Sequence, residues 1–351
     1  MNERRAPLPA CPLPDAGSDT IVLAHGGGGR LMQRLLGQSI LPALGLPRPE
    51  GLHDSAVLAL GNQRLAFTTD SYVVRPRFFP GGDIGQLAVN GTVNDLAMAG
   101  ARPVWMSAAL ILEEGLSLAE LERVLRSMRA AAEAAGVDIV TGDTKVVDRG
   151  AGDGLYINTA GLGVVGDGVE IHPSRVQARD AVLVSGDLGR HGMAVLACRE
   201  QLDFEPPIES DCAALWPLVQ RLLDGGVRPH VLRDITRGGL AAVLHEIAQA
   251  AGAGIVIDEA QLPVDAAVSS ACELLGLDPM HLACEGRMVA CVPQDQAERA
   301  LHLLQAHPLG REARRIGTVR HSDGGTVLLR TRTGAQRIVD VPGGELLPRI
   351  C

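Results

Sequence analysis

Six aspartates stand at the ends of apolar runs, in settings rich in Gly, Ser, Thr or Asn. They are Asp54 in HDSAVLAL, Asp70 in AFTTDSY, Asp83 in PGGDIGQLAV, Asp95 in NGTVNDLAMAG, Asp143 in IVTGDTKVV and Asp234 in RDITRGGL. A single loop aspartate commonly forms a turn or caps a helix. Several converging on one cleft suit a hard cation such as Mg²⁺, which takes oxygen ligands and bridges to substrate phosphates. A glycine run behind His25, Gly26 to Gly29, precedes an amphipathic stretch of Leu31, Leu35, Leu36 and Ile40. Amides at Gly27 and Gly28, with a helix start beside them, suit a phosphate; a plain flexible loop is the alternative. Neither a Walker A sequence nor a dinucleotide fingerprint is present. Taken together, the aspartates and two glycine-rich loops suit a nucleotide such as ATP·Mg²⁺, with scattered turn formers and helix caps as the alternative.

Three further residues could react. Lys145 follows Asp143 by two positions and could hold a phosphate or move a proton, or simply be a solvated lysine. Glu285, in HLACEGR, could be a general base or a loop cap. Cys351 ends the chain behind Pro and Gly, and a thiolate there could accept an activated group and carry it elsewhere. The α-carboxylate disfavours that thiolate and Arg349 partly offsets the effect. An incidental terminal cysteine is the competing reading. Prenylation is excluded, because its motif places Cys fourth from the end.

Positioning these groups requires both strands and helices. Ser-Leu-Ala-Glu from Ser117 makes a capping box, predicting a helix over 117–135 stopped by Gly136. Residues 137–140 read as a short buried strand delivering 141–145 as a loop, and 157–165 as another strand. The stretch 166–178 turns polar and irregular, which predicts a boundary between units 19–166 and 172–339. In the second unit, strands are expected at 181–185, 255–258 and near 287–292, 316–320 and 326–331. Helices are expected over 191–201, from Arg237-Gly-Gly to Ala251, and over 294–306. The class is α/β (α+β), in two units. Residues 1–18, with four prolines, read as a disordered lead. Residues 340–351 read as a flexible arm with a reach of roughly 30–35 Å.

Composition narrows the partners. With 32 Lys plus Arg against 41 Asp plus Glu, and aromatics at 2%, the chain lacks the basic, stacking surface that a nucleic acid needs. No uncharged apolar run reaches the roughly 18 residues of a membrane span. Seven cysteines without a CxxC pair indicate neither a disulfide framework nor a zinc ribbon. A reducing cytoplasm is the expected setting.

The strings AHGGGG, HDSAVL, FTTDSYVV, FFPGGDIG, NGTVNDLAM, TGDTKVV, SGDLGRHG and TRGGL, with the ending LPRIC, resemble the HypE family of nickel–iron hydrogenase maturation proteins. The likeness covers nearly everything after about residue 19. It implies a two-domain, aminoimidazole ribonucleotide synthetase-like fold, with ATP at the N-terminal domains of a homodimer. It also implies that the terminal cysteine receives a carbamoyl group from the carbamoyltransferase HypF. ATP then drives its dehydration to a thiocyanate, whose cyano group passes to iron on the HypC–HypD scaffold. By this resemblance Asp54, Asp95 and Asp234 match the metal and phosphate positions. Asp70, Asp83, Asn90 and Asp143 complete the nucleotide shell, and Lys145 and Glu285 flank the carbamoyl group, with Glu285 as base.

Two departures accompany the likeness. Ile235 stands where the family commonly has Pro, and Cys284 where it commonly has Asn, which removes a possible hydrogen bond near the carbamoyl group. A selenophosphate synthetase is the rival within the fold, but it expects a reactive cysteine in the N-terminal glycine loop, where this chain has His25 and glycines. A non-catalytic thiol carrier is the rival outside it, and the full set of aspartates argues against that.

Overall fold

Two mixed sheets, each covered by helices, carry the chain. The computed structural model describes residues 20–45, 53–321, 324–341, 347 and 349–351. The lead 1–18 and most of the segment 342–348 therefore lie outside the described residues. Helices α1 (Arg30–Leu35) and α2 (Leu41–Ala43) flank a π-helical turn. There follow β1 (Ala56–Leu60), β2 (Gln63–Tyr72), a ribbon of β3 (Phe78–Phe79) and β4 (Gly82–Asp83), and α3 (Ile84–Met98). Next come β5 (Ala101–Glu113), α4 (Leu118–Ala135), β6 (Asp138–Val147) and β7 (Leu155–Val165). The first sheet has the order β1-β2-β7-β5-β6, antiparallel except for the parallel pair β5 and β6.

The second unit runs β8 (Ala181–Val184), α5 (Arg190–Glu200), α6 (Trp216–Asp224), β9 (Val231–Asp234), α7 (Gly239–Ala251) and β10 (Gly254–Asp258). It continues with α8 (Ala266–Leu275), β11 (Met288–Val292), α9 (Ala297–Gln305), β12 (Arg314–Arg320), β13 (Val327–Arg330) and β14 (Gln336–Ile338). Its sheet order is β14-β13-β10-β12-β8-β11-β9, with β10 and β13 parallel. Strands β8, β9 and β11 are buried at every position, as expected of a sheet covered on both faces.

Helix α3 connects the units. It packs on β2, β5 and β7 of the first sheet and on β9 and α6 of the second unit. Of its side chains only Gln86 and Asp95 are not fully buried, so the helix carries no polar stripe. Helix α4 is amphipathic, burying Val124, Met128, Ala131 and Ala132 at helical spacing.

Two expectations are corrected. Residues 141–145 are not a loop: β6 continues through them, paired with β5 across a bulge at Met106 and Ser107. Gly142 permits this, because a Cβ there would meet the Ala108 carbonyl oxygen at 2.1 Å. The capping box at Ser117 does not form, since Glu120 is held by Arg77, whose Nε donates at 2.8 Å. The chain end, read as a flexible arm with its resting position open, is seated in the structure. Val73 N donates to Cys351 O (3.2 Å) and Arg75 N to Arg349 O (3.2 Å), while Ile350 and Cys351 join the apolar cluster of the first unit.

Candidate active site

The ends of several elements meet at one cavity of about 220 Å³. Gly28 lines it from just ahead of α1, Asp70 and Tyr72 from β2, Asp95 from α3, and Asp234 from the end of β9. Arg237, Glu285 and Cys351 close it. A glycine is required at position 28: its φ is +74°, and a Cβ would lie 3.0 Å from the Arg237 carbonyl oxygen.

Asp54, Asp95 and Asp234 each present a carboxylate oxygen within 4.8 Å of the others. Asp54 Oδ1 pairs with Arg233 Nε at 2.7 Å, and Arg233 Nη2 donates to Glu246 Oε2 at 2.7 Å. Asp54 Oδ2 is buried without a hydrogen-bond partner. Asp95 Oδ2 accepts from Thr68 Oγ1 at 2.6 Å. Burial pushes the Asp54 carboxyl up to about 6 against the opposing pull of Arg233. Burial and the neighbouring carboxylates raise Asp95 and Asp234 well above the usual range. Three close oxygen donors, one of them orphaned, fit a hard divalent cation.

Glu285 sits in the turn before β11 and is buried. Its backbone is fixed on both sides: its N–H donates to Asp211 Oδ1 (3.1 Å) and its carbonyl accepts from Asn94 Nδ2 (3.2 Å). Its Oε1 has no hydrogen-bond partner. Burial first, then Asp234 and Asp211, raise its pKa well above the ordinary glutamate value. A buried carboxyl with an unengaged oxygen beside a thiol is suited to taking a proton from a group carried on that thiol.

The cation near Cys351 is Arg237, not Arg349. Arg237 shares the cavity, and the charge of Cys351 is the largest cause of its raised pKa. Arg349 turns away, its Nη2 lying 2.7 Å from Asp153 Oδ2.

Other expected residues lie elsewhere. Asp83 caps α3, accepting from Gly85 N (2.8 Å) and Gln86 N (3.0 Å). Asn90 is buried and donates to Cys212 Sγ at 3.4 Å. Gly27 is buried in the loop beside Gly28. Asp143 and Lys145 pair with each other at 2.7 Å and are exposed on the edge strand β6. The expected Lys145–Glu285 pair is therefore not assembled within one chain. Cys284 does not border the cavity either: its Sγ accepts from Gly189 N (3.2 Å) within the core of the second unit. Ile235 N donates to Arg287 O at 3.0 Å, a bond that the family's proline could not make.

Sequence reasoning missed Arg233, Arg237, Tyr72 and Asn94. Arg233 and Arg237 lie within the string RDITRGGL that carries Asp234, so their charge near that carboxylate was a usable signal. Asn94 had none, because its contacts with Ala213, Leu215 and Glu285 are distant in the chain, whereas Tyr72 donates to Asp70 two residues away.

Comparison with known proteins identifies the family. Residues 52–165 match the AIR synthase related protein N-terminal domain and residues 177–330 its C-terminal domain. The chain is 50% identical over 338 residues to the carbamoyl dehydratase HypE of Rhodobacter capsulatus, covering 95% of this chain and 98% of the relative. A solved HypE–HypF complex superposes with a TM-score of 0.83 at 45% identity, covering 88% of this chain and 99% of the other. A HypE structure in complex with ATP superposes with a TM-score of 0.80 at 46% identity, covering 95% and 100%. With two AIR synthase related domains on a mixed helix–strand fold, the chain belongs to the HypE family of carbamoyl dehydratases.

Proposed function

We propose that this chain uses ATP to dehydrate an S-carbamoyl group on its own Cys351 to a thiocyanate, the source of a cyanide ligand for nickel–iron hydrogenase. The observation that carries the reading is that Cys351, Glu285 and the three clustered aspartates line one cavity. The carbamoyl oxygen attacks the γ-phosphorus of ATP and ADP leaves, with loss of one N–H proton. Removal of the second N–H proton then breaks the C–O bond, releasing phosphate and leaving S–C≡N. Glu285 accepts an N–H proton, and Arg237 offsets negative charge beside the thiol carbon. Asp54, Asp95 and Asp234 would hold Mg²⁺, which when bound neutralises charge on the transferred phosphoryl group.

We further propose a homodimer, served by HypF as carbamoyl donor and by HypC–HypD as acceptor, in the cytoplasm. The open face of the first sheet supports the dimer: Leu58, Phe67 and Trp105 share that face by register and are exposed there. The relative solved with HypF supports the donor. Among the described residues no helix is long and apolar enough to cross a membrane. Asp143 and Lys145, on exposed β6, would then act across the dimer interface.

The test is Cys351→Ala. It should abolish ATP consumption in the presence of HypF and carbamoyl phosphate, while ATP affinity by calorimetry stays within about twofold, well under 1.4 kcal/mol. Carbamoyl-dependent ATP consumption persisting in this variant would refute the role of Cys351.

A further inference from the structure

The chain end is held mainly through its backbone. His191 is fully buried on α5, edge-on to Phe79, and its Nε2 lies 2.8 Å from Ile350 O. A carbonyl only accepts, so Nε2 carries the proton. Nδ1 must then accept from Ser210 Oγ at 2.8 Å, and that hydroxyl in turn accepts from Cys212 N at 3.1 Å. Burial lowers the His191 pKa, in keeping with this neutral form. Two helical turns on, Arg199 donates through Nη2 both to Arg349 O (2.7 Å) and to Arg75 O (2.7 Å), and through Nε to Arg75 O (2.9 Å). The same guanidinium thus ties the chain end to the segment it pairs with. Val73 and Arg75 amides complete the backbone contacts, and the Asp153–Arg349 ion pair adds a side-chain contact.

We propose that His191 and Arg199 are positioning residues: together they form a clamp on α5 that reads the carbonyls of residues 349 and 350 and sets how long Cys351 stays at Glu285. Neither residue lines the cavity, so neither touches the nucleotide site. The clamp grips main chain, so its contacts with residues 349 and 350 are the same whether Cys351 carries a thiol or a carbamoyl group. This inference rests on the dehydratase reading for its catalytic consequence but not for the docking itself.

Two measurements on the full-length protein separate these. Arg199→Gln, at a half-exposed position, and His191→Phe, which keeps ring volume but removes the donor, are compared with the parent. The first measurement is alkylation of Cys351 followed by peptide mass spectrometry, with no ATP or partner present. Each variant should label Cys351 about 10-fold faster or more, the size expected for losing a buried or charge-assisted hydrogen bond. The second measurement is single-turnover dehydration of the HypF-carbamoylated protein. Its rate should fall by a similar factor, with the KM for ATP unchanged and carbamoylation as fast as the parent's or faster. Unchanged labelling in Arg199→Gln would overturn the clamp whatever the protein's reaction is. Faster labelling without slower dehydration would overturn its positioning role while leaving docking intact. Faster labelling with no dehydration even in the parent would instead count against the dehydratase reading.

Discussion

At the scale of single residues, the proposed mechanism divides the chemistry between Glu285 and Cys351. The thiol holds the carbon that changes, and the carboxyl is held nearby with its Oε1 unengaged, because the backbone on each side of it is fixed by Asp211 and Asn94. Burial raises the Glu285 pKa, and only the deprotonated form can act as base. Dehydration should therefore speed up as pH rises through that raised value. Glu285→Gln should slow single-turnover dehydration by about 10²–10⁴-fold and flatten its pH profile, while Cys351 is still carbamoylated. A variant that kept the parent's pH profile would assign the proton transfer to another group. The three aspartates were legible as carboxylates at the borders of apolar runs, although only Asp234 ends a strand, while Asp54 precedes β1 and Asp95 lies on α3. Arg237 was less so: nothing local says that the last residue of the chain will come to lie beside it.

Elements decide which of those residues can meet. Helix α3 delivers Asp95 and Asn94 between the two units, and it was not foreseen, since a helix buried all round shows no amphipathic period. The strand β6 was read as a loop in part because Thr-Gly-Asp-Thr has turn composition, yet pairing with β5 holds it extended. Where the end of the arm rests had no local mark, because its contacts with residues 73–75 span most of the chain. Gly91 on α3 shows how closely these elements approach: a Cβ there would lie 2.2 Å from the Tyr72 hydroxyl. Gly91→Ala should destabilise the protein by about 1–3 kcal/mol in urea unfolding, exceeding the roughly 1 kcal/mol that alanine gains in a helix. Adding Tyr72→Phe, which removes the clashing oxygen, should recover part of the loss. A Gly91→Ala protein as stable as the parent would show that α3 is not so tightly seated.

For the whole molecule, the open apolar face of the first sheet and the exposed Asp143–Lys145 pair belong to one question. If a second copy covers that face, Lys145 serves its partner's site. Lys145→Ala and Cys351→Ala proteins should then each fail alone, and mixed dimers should recover thiocyanate on the Lys145→Ala chain. No recovery in verified mixed dimers would confine each site to its own chain. A two-unit organisation was legible in the sequence, and two AIR synthase related domains match residues 52–165 and 177–330.

The central claim is that Cys351 carries the reacting group. Its most direct test is mass spectrometry of the C-terminal peptide after incubation with HypF, carbamoyl phosphate and ATP, with and without Mg²⁺. A carbamoyl adduct on Cys351 that loses one water only when ATP and Mg²⁺ are both present is the predicted result. An adduct that persists unchanged under those conditions would contradict it and leave the chain a carrier.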